Sequence, residues 1–187
     1  MATTNNSENV SVGKPMATGG VYFAPKGTAL PTDATTALAS DFNSVGYVSE
    51  DGVTNEVETD TEEIKAWGGD IVATPQTSYS EKFSLTLIET NATGLKVVYG
   101  DGNVTVESDG SIKINHNATE KTPIVMVLEI LMSNDKVKRI CIPKCKLSEV
   151  GEITYKDDEA IGYECTFQAL PDDAGNTSYE YIAKVTA

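Results

Sequence analysis

Positively charged residues are scarce in this 187-residue sequence. It has 14 Lys plus Arg against 28 Asp plus Glu, which leaves a net charge of -14 at pH 7. Duplex DNA carries about one negative charge per 1.7 Å of its axis, so a protein of this balance does not hold DNA by releasing counterions. We therefore expect any nucleic acid nearby to be repelled.

Long apolar runs and secretory features are also missing. The longest apolar run, residues 124–131, is interrupted by Glu129 and is far shorter than the roughly 20 residues of a membrane-spanning helix. The segment from Met1 to Ser7 lacks the basic start and apolar stretch of a secretory signal. We therefore expect no membrane segment, and a cytosolic folding environment.

Residues that perform chemistry are few. Cys141, Cys145 and Cys165 lack enough companion ligands for a zinc site, because His116 is the only histidine, so we expect three buried, reduced thiols. The sequence has neither a phosphate-binding loop nor a nucleophile elbow, and its acidic pairs are more typical of solvated or interfacial turns than of an EF-hand. We expect no catalytic residue, no cofactor and no metal.

The apolar pattern is mainly that of β-strands. Residues 79–89 and 160–169 alternate between apolar and polar, and residues 124–131 are typical of a strand buried on both faces. Pro143 within the strand-like residues 136–147 indicates an edge or a bulge. Further predicted elements are a strand at 20–24, a hairpin of 45–49 and 53–59 around Asp51-Gly52, a hairpin of 104–106 and 112–114, and a strand at 179–185.

Two helices are predicted. Asn91 or Thr93 can cap a helix with apolar positions Leu95, Val98 and Tyr99 that ends at Gly100. Thr32 or Asp33 could cap a second, short helix over residues 34–42. Counting about ten strands against one clear helix, we predict a mainly β protein, an antiparallel sandwich or barrel with one flanking α-helix.

Charge is distributed unevenly along the chain. Residues 50–63, the acidic segment, carry seven acids and no base, whereas residues 136–146, the basic strand, carry five bases and no acid. The two segments either face each other or solvate separate surfaces within one subunit, or they join neighbouring subunits and set their register. Trp67, beside Gly68 and Gly69, is either a core residue or an interface anchor. The interface candidates are Glu56, Glu58, Asp60, Glu62, Glu63, Trp67, Asp70, Lys138, Lys144, Lys146, Asp157 and Asp158.

Several strings together resemble the tail tube (major tail) proteins of long-tailed, non-contractile bacteriophages, from about Val12 to the C-terminus. The strings are residues 27–33, 38–42, 46–53, 64–70 and 149–164. The resemblance implies a single tail tube β-domain over residues 12–187 and a flexible N-terminal arm over residues 1–11. By position, residues 48–70 would be the loop that reaches the adjacent ring.

The resemblance also implies a function. Six subunits would close a ring, and stacked rings would form an acidic-lined conduit that viral DNA crosses without specific binding during ejection. A tape measure protein and tail initiator and terminator proteins would be partners, with assembly in the host bacterial cytoplasm and a final place in the virion tail. A β-sandwich capsid-decoration or surface adhesion module is the alternative, and a carboxylate-pair hydrolase is a more distant one.

Overall fold

The computed structural model describes residues 5–185, and it is mainly β with antiparallel strands, as predicted. One α-helix, α1 (Ala92–Tyr99), lies among the described residues, together with two short 3-10 helices. The strands are β1 Gly13–Pro15, β2 Val21–Pro25, β3 Asn43–Ser44, β4 Val48–Thr61, β5 Ile64–Lys65, β6 Ile71–Ala73, β7 Gln76–Leu87, β8 Val104–Val106, β9 Ile112–Ile114, β10 Ile124–Met132, β11 Lys136–Val150, β12 Tyr163–Ala169 and β13 Tyr179–Lys184.

The main sheet curls back on itself. Its order is β3-β2-β10-β11-β12-β7-β4, with β1 added to β10 and β13 to β11. Phe23 on β2 and Phe167 on β12 have ring centroids 5.2 Å apart, although three strand spacings of a flat sheet would separate their strands by about 14 Å. The two edge strands, β3 and β4, are also joined by only residues 45–47. The sheet is therefore nearly closed around its core.

The core fills the inside of this curled sheet. Phe83, Leu85 and Leu87 of β7 are buried, and so are alternate residues of β12, which confirms the predicted alternation in both strands. Helix α1 covers the core with Leu95 and Val98. The Asn91 side chain caps this helix by accepting a hydrogen bond from the Gly94 amide at 2.8 Å, as predicted.

Most other predicted strands are also confirmed. β2, β10 and β13 lie within about one residue of the predicted bounds, and β8 and β9 form the predicted hairpin. β10 pairs with β2 on one side and β11 on the other, so the most apolar segment is central. The flexible N-terminal segment predicted over residues 1–11 lies partly outside the described residues. Residues 5–10 are exposed, and the Asn134 side chain donates to the backbone carbonyl of Glu8.

The predicted early hairpin around Asp51-Gly52 is wrong. Residues 48–61 form one continuous strand, β4, which pairs with β7 rather than folding back on itself. Val48 faces Leu87 and Val53 faces Leu85, so the intervening residues bulge out, with Gly52 at φ 72°. The pair that indicated a turn is accommodated as a bulge because the long β7 partner provides hydrogen bonds along the whole strand.

The predicted helix over residues 34–42 is also wrong. The Asp33 carboxylate accepts hydrogen bonds from the Thr36 hydroxyl (2.5 Å) and from the backbone amides of Thr36 (2.6 Å) and Thr35 (2.7 Å), and these lower the pKa of Asp33. It thus caps a turn, but no helix follows. Arg139 donates to the Asp33 carbonyl at 2.8 Å and binds the buried carboxylate of Glu129. The segment packs as an irregular cover over a second small core on the outer face of the sheet.

Pro143 marks a bulge, but β11 is not an edge strand. Ile142 faces Met126 and Cys145 faces Ile124, so one extra residue lies on β11 between them. The side-chain alternation flips there: Cys141 packs in the outer core, whereas Cys145 packs in the main core. Lys138 therefore lies on the opposite face from Lys144 and Lys146, although all three positions have the same parity along the strand.

The three thiols are free and buried, as predicted. Burial raises the pKa of Cys141 to about 11 and that of Cys165 to about 12, and it raises the pKa of Cys145 still further. Because the reactive form of cysteine is the thiolate, these side chains act as small apolar core residues.

The junction between the two edges of the sheet depends on Gly46. Its φ is +87°, and a Cβ atom there would lie 2.2 Å from the carboxyl carbon of Glu89. The Glu89 carboxylate accepts from the Tyr47 amide at 2.8 Å and from the Asn91 side chain. This contact fixes the start of β4 against the N-terminus of α1.

Candidate assembly interface

The most prominent exposed feature is the hairpin of β4 and β7, which extends beyond the closed sheet. Residues 54–79 are exposed without interruption, and we call this segment the arm. The strands remain paired to Thr61 and Gln76, and β5 and β6 continue the ribbon to a turn at residues 66–70. Thirteen residues from Thr54 to Ala66 correspond to about 40 Å. Residues 48–70, predicted as a loop, therefore form one strand and the end of a two-stranded arm.

The two faces of the arm differ in chemistry. Asn55 faces Phe83 and Val57 faces Glu81, so the odd-numbered residues of β4 continue the core face outward. Val57 and its neighbour Tyr79 are about half exposed on that face. The opposite face carries the even-numbered acids Glu56, Glu58 and Asp60.

The arm ends in a small group of exposed apolar side chains. Trp67 is fully exposed, which rules out the core position considered from the sequence. The turn around it uses Gly68 and Gly69, both at positive φ. Ile64, Ile71 and Val72 are each more than half exposed on the adjoining strands. Apolar side chains gathered at the end of an extended element are typical of a protein interaction site.

The root of the arm is held by a residue that sequence reasoning missed. The buried Glu81 carboxylate accepts from the Asn55 side chain (3.0 Å), the Ser178 hydroxyl (3.0 Å) and the Thr177 hydroxyl. It thereby joins both arm strands to the loop that precedes β13. The sequence signal was an acid on the inward-facing positions of an otherwise apolar alternation.

The loop bound by Glu81 is itself ordered by Asp172. The Asp172 carboxylate accepts from the Tyr179 hydroxyl (2.6 Å) and from the backbone amides of Asn176 (3.0 Å) and Ala174 (2.9 Å). These hydrogen bonds lower the pKa of Asp172, and the one from the Tyr179 hydroxyl has the largest effect. The arm therefore leaves the sheet from a fixed base rather than from a free loop.

The acidic candidates lie along the arm with little compensation by bases. Glu58 lies 3.9 Å from the Lys82 ammonium, and Glu63 lies 3.3 Å from that of Lys65. Asp60 accepts from the Ser78 hydroxyl at 2.7 Å. Within residues 5–185, the carboxylates of Glu56, Glu62 and Asp70 make no salt bridge. The acidic character predicted from the sequence is therefore presented to solvent.

The basic candidates have partners in their own subunit, and these are not in the acidic segment. Lys138 pairs with Glu180 at 2.8 Å, and Lys144 pairs with Asp173 at 3.7 Å. Lys146 pairs with Glu120. In the described part of the chain, no salt bridge joins the basic strand to residues 50–63.

Asp157 and Asp158 lie at the opposite end of the sheet from the arm tip. They form an exposed turn before Tyr163, which faces Leu87 at the far end of β7. The neighbouring Lys156 and Glu159 pair at 2.9 Å. The structure therefore does not bring this turn together with the other interface candidates.

Groups that could perform chemistry are not assembled in one place. His116 is exposed and lies against Tyr99, with ring centroids 4.7 Å apart. Among residues 5–185 there is no group of three or more His, Cys, Asp or Glu side chains placed to hold a metal ion. None of the helices within residues 5–185 is long and apolar enough to span a membrane.

The nearly closed antiparallel sheet and its exposed arm define a β-structural protein with an element available for association. The comparisons identify the family. A family model described as phage tail tube protein matches residues 2–187. The chain therefore belongs to the phage tail tube proteins, a structural family of the virion tail whose members assemble with copies of themselves into a tube. A comparison with curated proteins finds no match.

Proposed function

We propose that this chain is the tail tube subunit of a long-tailed, non-contractile bacteriophage, in which six copies close a ring and rings stack into the conduit for DNA ejection. The observation that carries the proposal is the arm, with its continuous exposure and apolar tip. Exposed apolar groups mark interaction sites, and a ribbon about 40 Å long that ends in an exposed tryptophan would allow a subunit to reach its neighbour.

The arm suits contact between rings. Its tip extends from the N-terminal end of β7, whereas the loop of residues 151–162 lies at the C-terminal end of that strand. When identical subunits stack head to tail, one such end of each subunit meets the opposite end of the next. We infer that the apolar tip beyond residue 64, with Trp67 and Ile71, buries its surface on the adjacent ring.

The bore requires a surface that does not hold DNA. Four cross-strand partners on neighbouring strands form one row on the outer face of the sheet: Glu56, Lys82, Gln168 and Lys146. The positions beside it are mostly Ser, Thr and acidic residues, such as Glu164. We infer that this polar face lines the bore. A ring of six subunits would carry a net charge of -84, and acids within about 8 Å of passing phosphates would repel them.

The proposed partners follow from this role. The tube would enclose a tape measure protein, begin on a tail initiator and end at a terminator, with assembly in the host cytoplasm. Viral DNA would cross the bore without specific contacts, because a subunit with a net charge of -14 does not hold DNA by counterion release. No cofactor and no catalytic step are required of such a subunit.

Electron microscopy of the purified protein at high concentration tests the proposal. The full chain should form rings or tubes. A variant in which residues 62–75 are replaced by Asn-Gly should remain a folded monomer, because a two-residue turn can join Thr61 to Gln76 across the existing ladder.

The β8–β9 hairpin offers a matched control. Replacing residues 108–110, its exposed turn, by Asn-Gly removes a surface turn away from the arm and should leave tube yield unchanged. Tubes of equal yield from the arm-shortened variant would contradict the role given to the arm. A full-length chain that stays monomeric even with its tail initiator would contradict the proposed function itself.

A further inference from the structure

A second surface carries positive charge that no salt bridge among residues 5–185 neutralises. Lys136 on β11 and Lys184 on β13 are direct cross-strand partners, so their side chains share one face. In the described residues, neither forms a salt bridge. Like charges directly opposite each other destabilise a sheet, and no salt bridge among the described residues offsets the repulsion of this pair.

An apolar side chain accompanies this pair. Ile182 is 58% exposed on the same face of β13, where it faces Lys138 across the strands. Lys138 is already neutralised by Glu180. The resulting surface, which we call the lysine patch, consists of Lys136, Lys184 and Ile182. Two cations beside an exposed aliphatic side chain fit a partner that is acidic and partly apolar.

The arm of a second copy has this chemistry. Its segment from Asp60 to Glu63 carries three carboxylates, and the exposed Ile64 follows directly. We propose that the lysine patch receives this segment of the arm from a neighbouring subunit in the same ring. The inference rests on the proposed function and identifies where one subunit contacts the next.

The strand register favours a neighbour in the same ring over one in the next. Ala169 faces both Glu81 of β7 and Cys145 of β11, so these residues form one row across the sheet. Residues 60–63 and the lysine patch lie on the same side of that row, toward the end of the sheet from which the arm extends. Subunits side by side in a ring have the same ends of their sheets next to each other, so the two segments can meet there, whereas the tip beyond Ile64 remains available for the next ring.

A charge exchange tests the pairing. Lys136→Glu with Lys184→Glu should raise the protein concentration needed for ring or tube formation by about tenfold or more, since like charges would then meet at the contact. Asp60→Lys with Glu62→Lys should have a similar effect. Combining all four changes should restore the threshold to within a few-fold of the unmodified chain, because opposite charges face each other again.

Lys144→Glu with Lys146→Glu is the matched control. It alters the net charge equally, but it lies beyond the bulge on the other face of β11, so the threshold should change much less. Thermal unfolding of every variant checks that the monomer still folds, and Lys136→Gln with Lys184→Gln, expected to give a weaker effect, replaces any variant that does not. Zero-length carbodiimide coupling should also join Lys136 or Lys184 to the arm segment of another copy.

Two outcomes separate the claims. If the unmodified chain forms tubes and the Lys136→Glu, Lys184→Glu variant forms them at the same threshold, the lysine patch is not the contact, although the proposed function stands. The same conclusion follows if the variant that combines all four substitutions does not restore the concentration threshold for assembly. If the unmodified chain forms neither rings nor tubes with its initiator, the proposed function itself fails.

Discussion

Trp67→Ala should separate folding from assembly. Trp67 is fully exposed at the end of the arm, far from the core formed by residues such as Phe83 and Phe167. Surface substitutions away from special features usually change the free energy of unfolding by no more than about 0.5 kcal/mol. The variant monomer should therefore unfold at nearly the same urea concentration as the unmodified chain.

The effect on assembly should be much larger. A tryptophan that becomes fully buried removes about 150–250 Å² from water, and at about 25 cal/mol per Å² this corresponds to about 4–6 kcal/mol. Part of that gain is offset by ordering and desolvation, and truncation of a central interface residue typically costs about 2–4 kcal/mol. The concentration threshold for tube formation should therefore rise between about 30-fold and about 700-fold.

Light scattering against protein concentration, with electron microscopy of the same samples, measures this threshold. Val106→Ala is the control, because Val106 is also an exposed apolar residue but lies on the β8–β9 hairpin, away from the arm tip. An unchanged threshold for Trp67→Ala would show that the tip does not become buried on assembly. A large loss of monomer stability would refute the assignment of Trp67 as a surface residue.

Three further predictions concern the fold. Gly46→Ala should destabilise the protein by about 3 kcal/mol in urea unfolding, because the new Cβ meets the Glu89 carboxylate at a positive φ. Arg139→Met should cost about 3–5 kcal/mol, because it leaves the buried Glu129 carboxylate without its partner. The folded thiols should react slowly with thiolate-directed reagents at pH 8. Because burial raises the pKa of Cys141 to about 11, their stabilising contribution should be complete below about pH 8.5 and decline as pH rises toward that value.

Each of these predictions has a control. Gly52→Ala also places a side chain at positive φ but in open space, so it should cost only about 1 kcal/mol, and an equal loss at both sites would contradict the role of Glu89. Adding Glu129→Met to Arg139→Met should recover much of the lost stability if an unpaired charge is the cause. Thiol reaction at the same rate in folded and urea-unfolded protein would show that the cysteines are accessible.

Local sequence patterns were sufficient to predict an element where most of the segment lies in one environment. The alternation in β7 and β12 predicted both strands, since one of their faces lies against the core along most of its length. Asn91 and Gly100 predicted the bounds of α1, because capping and termination depend on neighbours within one turn. The acidic character of residues 50–63 also followed from composition alone.

Contacts between segments far apart in the sequence decided the features that local patterns did not predict. Asp51-Gly52 favours a turn by itself, but pairing with β7, which begins at Gln76, makes it a bulge and moves the real turn to the region of Trp67. The bulge at Pro143 then assigns the lysines of β11 to opposite faces, which no parity count along the strand could show.

The amino-acid sequence by itself determined the strand-rich composition, the helix and the charge of each segment, because these depend on residue types and short spacings. Only the tertiary structure decided that Trp67 lies at the end of an arm, that Glu81 fixes the root of that arm, and that Lys136 faces Lys184. The reason is physical: strand register and burial arise from hydrogen bonds and packing between segments far apart in the chain.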